Sequence, residues 1–183
     1  MLHIVYKCDI ICDIISNAGL FLEFFHNTMA EKSAMVDIYK AHINEKSNEV
    51  QTVKEHSENT ADLCRNAAVP VLKDVLYVIG LLHDVGKYQI GFQQRINGEN
   101  VSIEHSACGA CVAEELYPNP VGLLMAYCIA GHHSGIPDGG FINDTPDMCT
   151  LSGRLKRRFE DFSAYKRELT ISQIKTNEVL TFF

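Results

Sequence analysis

The chain has 183 residues, 46% of them hydrophobic and 21% charged, with 12 Gly, 5 Pro and no Trp. That length fits one globular domain with a real core, not a multidomain motor or a large barrel enzyme, and the apolar content excludes a disordered or collagen-like chain. With a net charge of −7 the surface as a whole does not attract nucleic acid, so any such role is local to a site or depends on a partner.

Residues 1–34 crowd Ile4, Ile10, Ile11, Ile14, Ile15, Leu20, Phe21, Phe24 and Phe25 together with little clear period. They read either as an extra N-terminal helix packed on the domain or as an upstream extension, with a later start at Met29 or Met35; the domain proper is then 35–183. From Thr52 onward the pattern is helical. Thr52 and Glu55 form a capping-box signature, and Val53, His56, Thr60, Leu63, Cys64 and Ala67 recur at helical spacing behind it. After Pro70, Val71, Leu72, Val75, Leu76, Ile79, Leu82 and His83 form the stripe of a second helix that stops near Gly86. A short helix is expected over Ile90–Ile96, before the turn-rich Asn97–Asn100. His105, Cys108, Val112 and Leu116 share the face of the next, which ends at Pro118. Pro120 suits the first turn of one more, running into Gly131-His132-His133, and Pro137-Asp138-Gly139-Gly140 reads as a loop. Residues 50–135 show no alternating strand pattern of useful length, so the predicted fold class is all-α.

Seven cysteines at irregular spacing, with no secretory signal before them, indicate reduced thiols and a cytoplasmic protein. The most apolar runs, Val75–Leu82 and Val121–His133, fall well short of a bilayer span, so no membrane partner is expected.

Histidine carries the chemistry. His56, His83, His105 and the pair His132-His133 lie on four successive helices, on or beside the apolar stripe. A single histidine facing a core is usually a structural residue with a satisfied hydrogen bond. Five of the eight histidines in such places need a common partner, because each buried imidazole brings polar nitrogens that must be satisfied. A bound metal supplies that partner for several at once. One helix plus one loop separates each from the next, which suits a site inside a helix bundle rather than a compact zinc finger. Asp84, directly after His83, can bridge two ions, which at about 3.5–4 Å apart would activate water and stabilise the leaving oxygen of a phosphodiester. Lys87 reads either as a phosphate contact or as a solvated lysine at a helix end.

His83-Asp84-Val85-Gly86-Lys87 resembles the signature of the HD phosphohydrolase superfamily. With Glu55-His56-Ser57, Glu104-His105-Ser106 and the run Ile129–Gly139, the order of segments closely resembles the HD nuclease domain of the type I CRISPR-associated helicase-nuclease, from about Tyr39 to Lys166. The resemblance implies an HD-domain helical bundle with a metal site between its helices, degrading single-stranded DNA during CRISPR interference. It further implies that His56, His83 and Asp84 hold one ion and that Asp84, His105, His132 and His133 hold a second. Lys87 would sit beside them, with Asp84 and Lys87 as the catalytic pair and Phe92 and Gln93 packing or touching substrate. The implied cofactors are one or two divalent transition ions, Mn, Ni, Co or Fe rather than Mg. The implied partners are single-stranded DNA, a CRISPR helicase and the surveillance complex.

One departure stands out. The family's first ion usually takes a last ligand from an Asp on a late helix, and none of Asp138, Asp144, Asp147 and Asp161 lies in a segment resembling it. The chain therefore reads as a separate or C-terminally truncated HD piece with a weakened first site. This leaves two alternatives: an HD phosphohydrolase of nucleotides or cyclic dinucleotides, and a metal-binding module with little or no activity. Cys108 and Cys111 have CxxC spacing without a matching second pair and are expected to pack in the core. Arg154, Lys156, Arg157 and Arg158 read either as a DNA-backbone track or as a solvated helix face.

Overall fold

The computed structural model describes residues 38–181; the N-terminal segment expected at residues 1–34 lies outside the described residues. Strands β1 (Lys40–Ile43) and β2 (Val50–Thr52) pair antiparallel, with Ile43 opposite Val50 and Lys40 opposite Thr52. The turn between them is built by Asn44, whose side-chain oxygen accepts from the amides of Lys46 and Ser47 at 3.0 and 3.3 Å, a local bond that Asn is suited to make. Asn48 takes a φ of 55°, a left-handed conformation that Asn tolerates better than most residues.

Thr52 ends β2 and opens α1 (Val53–Ala67). Its hydroxyl accepts from the Glu55 amide at 3.1 Å, while the Glu55 carboxylate accepts from the Thr52 amide at 2.9 Å. The expected capping box is present. The buried residues of α1 are Val53, Ser57 and Ala61, and Leu63, expected on the apolar face, is 71% exposed. The reason is small-residue packing. Helix α2 (Lys73–Leu82) lies so close that a Cβ on its Gly80 would stand 2.5 Å from the Ala61 Cα, and only a stripe of small side chains on α1 permits that approach.

The remaining helices are α3 (Ile90–Ile96), α4 (Ser106–Leu116), α5 (Val121–Gly131), α6 (Leu151–Leu155), α7 (Tyr165–Glu168) and α8 (Thr176–Leu180). Helix α1 packs on α2 and α4 on α5, closing over a core that includes Val78, Leu81, Leu82, Val85, Met125, Ile129 and Leu151. Each such side chain contributes about 1.5–3 kcal/mol on burial. The hairpin is the only sheet among the described residues, so the all-α expectation holds. None of the described helices is long and apolar enough to cross a membrane.

Two connections matter for function. A 3₁₀ turn, Val85–Tyr88, follows α2 and is buried throughout. A Cβ on its Gly86 would collide with the backbone of His105, so glycine there lets the end of α2 lie directly against the start of α4. Gln89 and Gln93 hold this arrangement. The Gln89 amide donates to the carbonyls of Gly86 and Glu104. The Gln93 amide donates to the carbonyls of Lys40 and Lys87, and its oxygen accepts from the Lys40 amide. Gln93 thus packs the structure and joins the hairpin to the turn that carries Lys87.

In the basic cluster after α5, Arg158 is exposed and three of the four side chains are engaged by the protein itself. Arg154 donates to the carbonyls of Ala130 and Cys149 and to the Ser134 hydroxyl. Lys156 donates to the carbonyls of Ile142 and Asp144, and Arg157 pairs with Glu104 at 2.7 Å. These three side chains hold the long loop before α6 in place.

Candidate metal centre

The histidines converge from helix ends more than from helix stripes. His56 lies in α1. His83 caps the C-terminus of α2, His105 stands at the N-cap of α4, and His132 caps the C-terminus of α5 with His133 next to it. Asp84 follows α2 and is 3% exposed. Its Oδ2 lies 2.9 Å from His56 Nε2, 3.2 Å from His83 Nε2 and 3.0 Å from Lys87 Nζ. Its Oδ1 lies 3.3 Å from His132 Nε2 and 3.7 Å from His105 Nε2. His105 Nε2 is in turn 2.9 Å from His133 Nε2.

Two donor groups result: His56, His83 and Asp84, and Asp84, His105, His132 and His133, each with its ligand atoms within 4.8 Å of one another. Every histidine singled out in the sequence is thereby brought to Asp84. Among the described residues, Asp138, Asp144, Asp147 and Asp161 join neither group.

Ring orientation is set by carbonyls in the last turns of the helices. His83 Nδ1 donates to the Gly80 carbonyl at 2.7 Å, and His132 Nδ1 donates to the Ile129 carbonyl at 2.6 Å. A carbonyl only accepts, so each Nδ1 carries the proton, and the Nε2 of the neutral ring offers a lone pair to the centre. In the neutral ring of His132 that lone pair faces Asp84 Oδ1, an acceptor against an acceptor, so the two attract only with a cation between them or with the ring protonated. That oxygen is buried and makes no hydrogen bond. A buried carboxylate oxygen without a hydrogen bond, facing the Nε2 atoms of His132 and His105, fits a divalent cation, and this donor set favours transition ions. The His56, His83, His105 and His132 side chains keep 13–20% of their surface exposed, so the centre is reachable from solvent.

Electrostatics follow the same geometry. Burial opposes the charge on Asp84, but the ring nitrogens of His132, His56 and His83 facing it outweigh that and hold its carboxyl far below the usual range. Burial, with His133 and Lys87 nearby, pushes His105 down to about 4. Burial also lowers His133, aided by its neighbour His132. For His132 burial acts downward as well, but Asp84 prevails and raises it. At neutral pH His105 and His133 are therefore neutral, the state a metal ligand needs.

Lys87 is 4% exposed, unlike a solvated lysine at a helix end. Its three protons are matched by Asp84 Oδ2, the Ala41 carbonyl at 3.3 Å and His42 Nε2 at 3.2 Å. His42, which sequence spacing did not connect with the centre, stacks edge-on against the His56 ring at 4.6 Å. It sits on a strand too short to give a periodic signal. Phe92 is largely buried, with its ring 5.2 Å from that of His105. Cys108 is buried in the core as expected, and burial pushes the half-buried Cys111 thiol up to about 11, so neither is a ready thiolate ligand.

No curated protein sequence matches the chain. A sequence profile described as HD domain matches residues 53–174, about two thirds of the chain, and that span contains both donor groups. The doublet His83-Asp84 at the heart of the centre lies within the matched span, and the chain belongs to the HD domain family.

Proposed function

We propose that this domain, a metal-dependent phosphohydrolase by family and by its His/Asp cluster, is a nuclease that degrades single-stranded DNA in CRISPR interference. In this reading it acts in the cytoplasm with a CRISPR helicase and the surveillance complex. The observation that carries the chemistry is Asp84, whose two oxygens face two separate histidine groups. The resemblance of the four His-bearing segments, in their order, to the CRISPR helicase-nuclease supports the choice of DNA.

His56, His83 and Asp84 would hold one divalent ion, and Asp84, His105, His132 and His133 the other. Such ions activate water and stabilise the departing oxygen of a phosphodiester. The chain's own residues supply the rest. The carbonyls of Gly80 and Ile129 lock the His83 and His132 rings with their lone pairs inward. Lys87, fixed by Asp84, His42 and the hairpin carbonyl, places a buried positive charge beside the centre, where it favours an anionic phosphate. The acidic chain has no need of a broad basic surface, because in this reading partners deliver the strand.

The test uses the full chain with Mn²⁺ or Ni²⁺ and a panel of labelled single-stranded DNA, duplex DNA, RNA, nucleotides and cyclic dinucleotides. Single-stranded DNA is expected to be cut fastest, and the double substitution His83→Ala with Asp84→Ala to abolish cleavage. Undiminished cleavage by that double variant would overturn the proposal, as would turnover of nucleotides or cyclic dinucleotides alone.

A further inference from the structure

We propose that the groove beside the second histidine group is the path of the single strand, with Arg95 binding the phosphate of a nucleotide that flanks the cleavage position. This rests on the nuclease reading above and adds to it a substrate contact outside the metal centre. The groove has a volume of about 460 Å³, within the range of sites that take small organic ligands. Ile43 of β1, Phe92, Arg95 and Ile96 of α3, and His105 and His133 line it. A strand whose scissile phosphate sits at the histidines thus has a further nucleotide to place, and this groove is continuous with them.

The chemistry of the walls suits that nucleotide. Ile43 and Ile96 are partly exposed and offer apolar surface to a base or sugar, a sequence-tolerant contact. Arg95 is exposed, and its side chain makes no ion pair or hydrogen bond among the described residues. Arg154 and Arg157 by contrast are held by carbonyls and by Glu104. Lys87 also lines the groove, but its protons are already matched by Asp84, His42 and the Ala41 carbonyl. The guanidinium of Arg95 is therefore the donor left for a phosphate oxygen, which it can bind through two parallel N–H groups. Glu45 is the one carboxylate lining the groove, and its charge sets the phosphate on the Arg95 side.

The experiment measures binding of a fluorescein-labelled oligothymidylate of about ten nucleotides to the full chain in EDTA, by anisotropy over a range of salt concentrations. Arg95→Ala is expected to weaken binding about tenfold and to flatten the plot of log K against log salt by about 0.7, the share of one single-strand phosphate. Arg95→Lys is expected to keep the wild-type slope. Equal affinity and slope in wild type and Arg95→Ala would overturn the inference while leaving the nuclease reading standing, and so would a loss shared equally by Arg95→Lys. A wild-type protein that neither binds the strand nor cuts it when given Mn²⁺ would overturn the nuclease reading and this inference together.

Discussion

Replacing Asp84 by Asn keeps the side-chain volume and removes the charge at the point where both donor groups meet. In the metal-free protein Asp84 and Lys87 form an ion pair at 3.0 Å with side chains only 4% and 5% exposed. Removing one partner of so buried a pair costs about 3–5 kcal/mol, a large part of the roughly 5–15 kcal/mol by which domains are stable. The same change reduces the first group from its three protein donors to two histidines and takes the shared carboxylate from the second. For the wild type, Mn²⁺ at 100 times its dissociation constant adds about 2.7 kcal/mol per site, a rise of roughly 5–11 °C in melting temperature for a chain of this size. Thermal denaturation followed by circular dichroism, in EDTA and in Mn²⁺, reads both effects. Asp84→Asn should melt below the wild type in EDTA and show no metal-dependent rise. Adding Lys87→Met to it should recover most of the metal-free stability, because both charges are then gone, without restoring the metal response. An unchanged melting temperature in EDTA would mean that the pair is solvated. A full metal-dependent rise in Asp84→Asn would mean that the ion binds elsewhere, and would refute the assignment of the centre.

Two further outcomes test the supports of the centre. Arg154→Ala frees the Ala130 carbonyl and the Ser134 hydroxyl, which flank His132 and His133. Calorimetric titration with Mn²⁺ should show one binding phase weakened by about 10–100-fold, the usual effect of losing an outer support, while the phase of His56 and His83 is preserved; two wild-type phases would contradict this. Glu104 accepts from the Ser106 hydroxyl and from the amides of Ser106 and Ala107 at the start of α4. Burial acts to raise its carboxyl, but these bonds and Arg157 outweigh it and hold the group below its usual range. A depressed folded-state value means stability that is complete above the unfolded value of about 4.3 and lost as pH falls through the folded one. The stability advantage of wild type over Glu104→Gln, measured by urea denaturation, should therefore be level above about pH 5 and shrink on further acidification. An advantage that grows in acid would contradict the assignment.

What could be read from the residues alone was whatever rests on large apolar side chains or on short polar motifs. The capping box of Thr52 and Glu55, the helix Ile90–Ile96 and the order of the histidine segments are of that kind. What escaped was set by small residues and by tertiary proximity. Ser57 and Ala61 carry no strong apolar signal, yet they form the buried face of α1 because Gly80 packs against them. The hairpin has strands of four and three residues, too short for an alternating pattern to stand out, so nothing in the sequence ties His42 to the centre although it touches Lys87 and His56. The basic run Arg154–Arg158 was ambiguous because charge alone does not reveal that carbonyls of a neighbouring loop will claim three of its four side chains.

The helix ends explain why the donors sit where they do, and they separate two kinds of histidine in the centre. The last carbonyls of a helix lack intrahelical partners. The rings of His83 and His132 each donate to a carbonyl of the last turn, at Gly80 and Ile129, the latter also accepting from the His132 amide, and in doing so turn the other ring nitrogen inward. Capping and ligand orientation are thus one act, and losing such a residue removes a stabilising bond together with a donor. His133 is exposed and makes no such carbonyl bond; its Nε2 instead meets that of His105. Clustered polar groups of this second kind are held for function and add little to stability. In EDTA, His83→Ala should therefore lose about 0.5–1.5 kcal/mol, the net value of a hydrogen bond, while His133→Ala should unfold at the wild-type urea concentration or above it. Both should lose metal-dependent stabilisation. Equal destabilisation of the two metal-free variants would show that the carbonyl bonds do not hold the rings, and the oriented lone pairs would then need another cause.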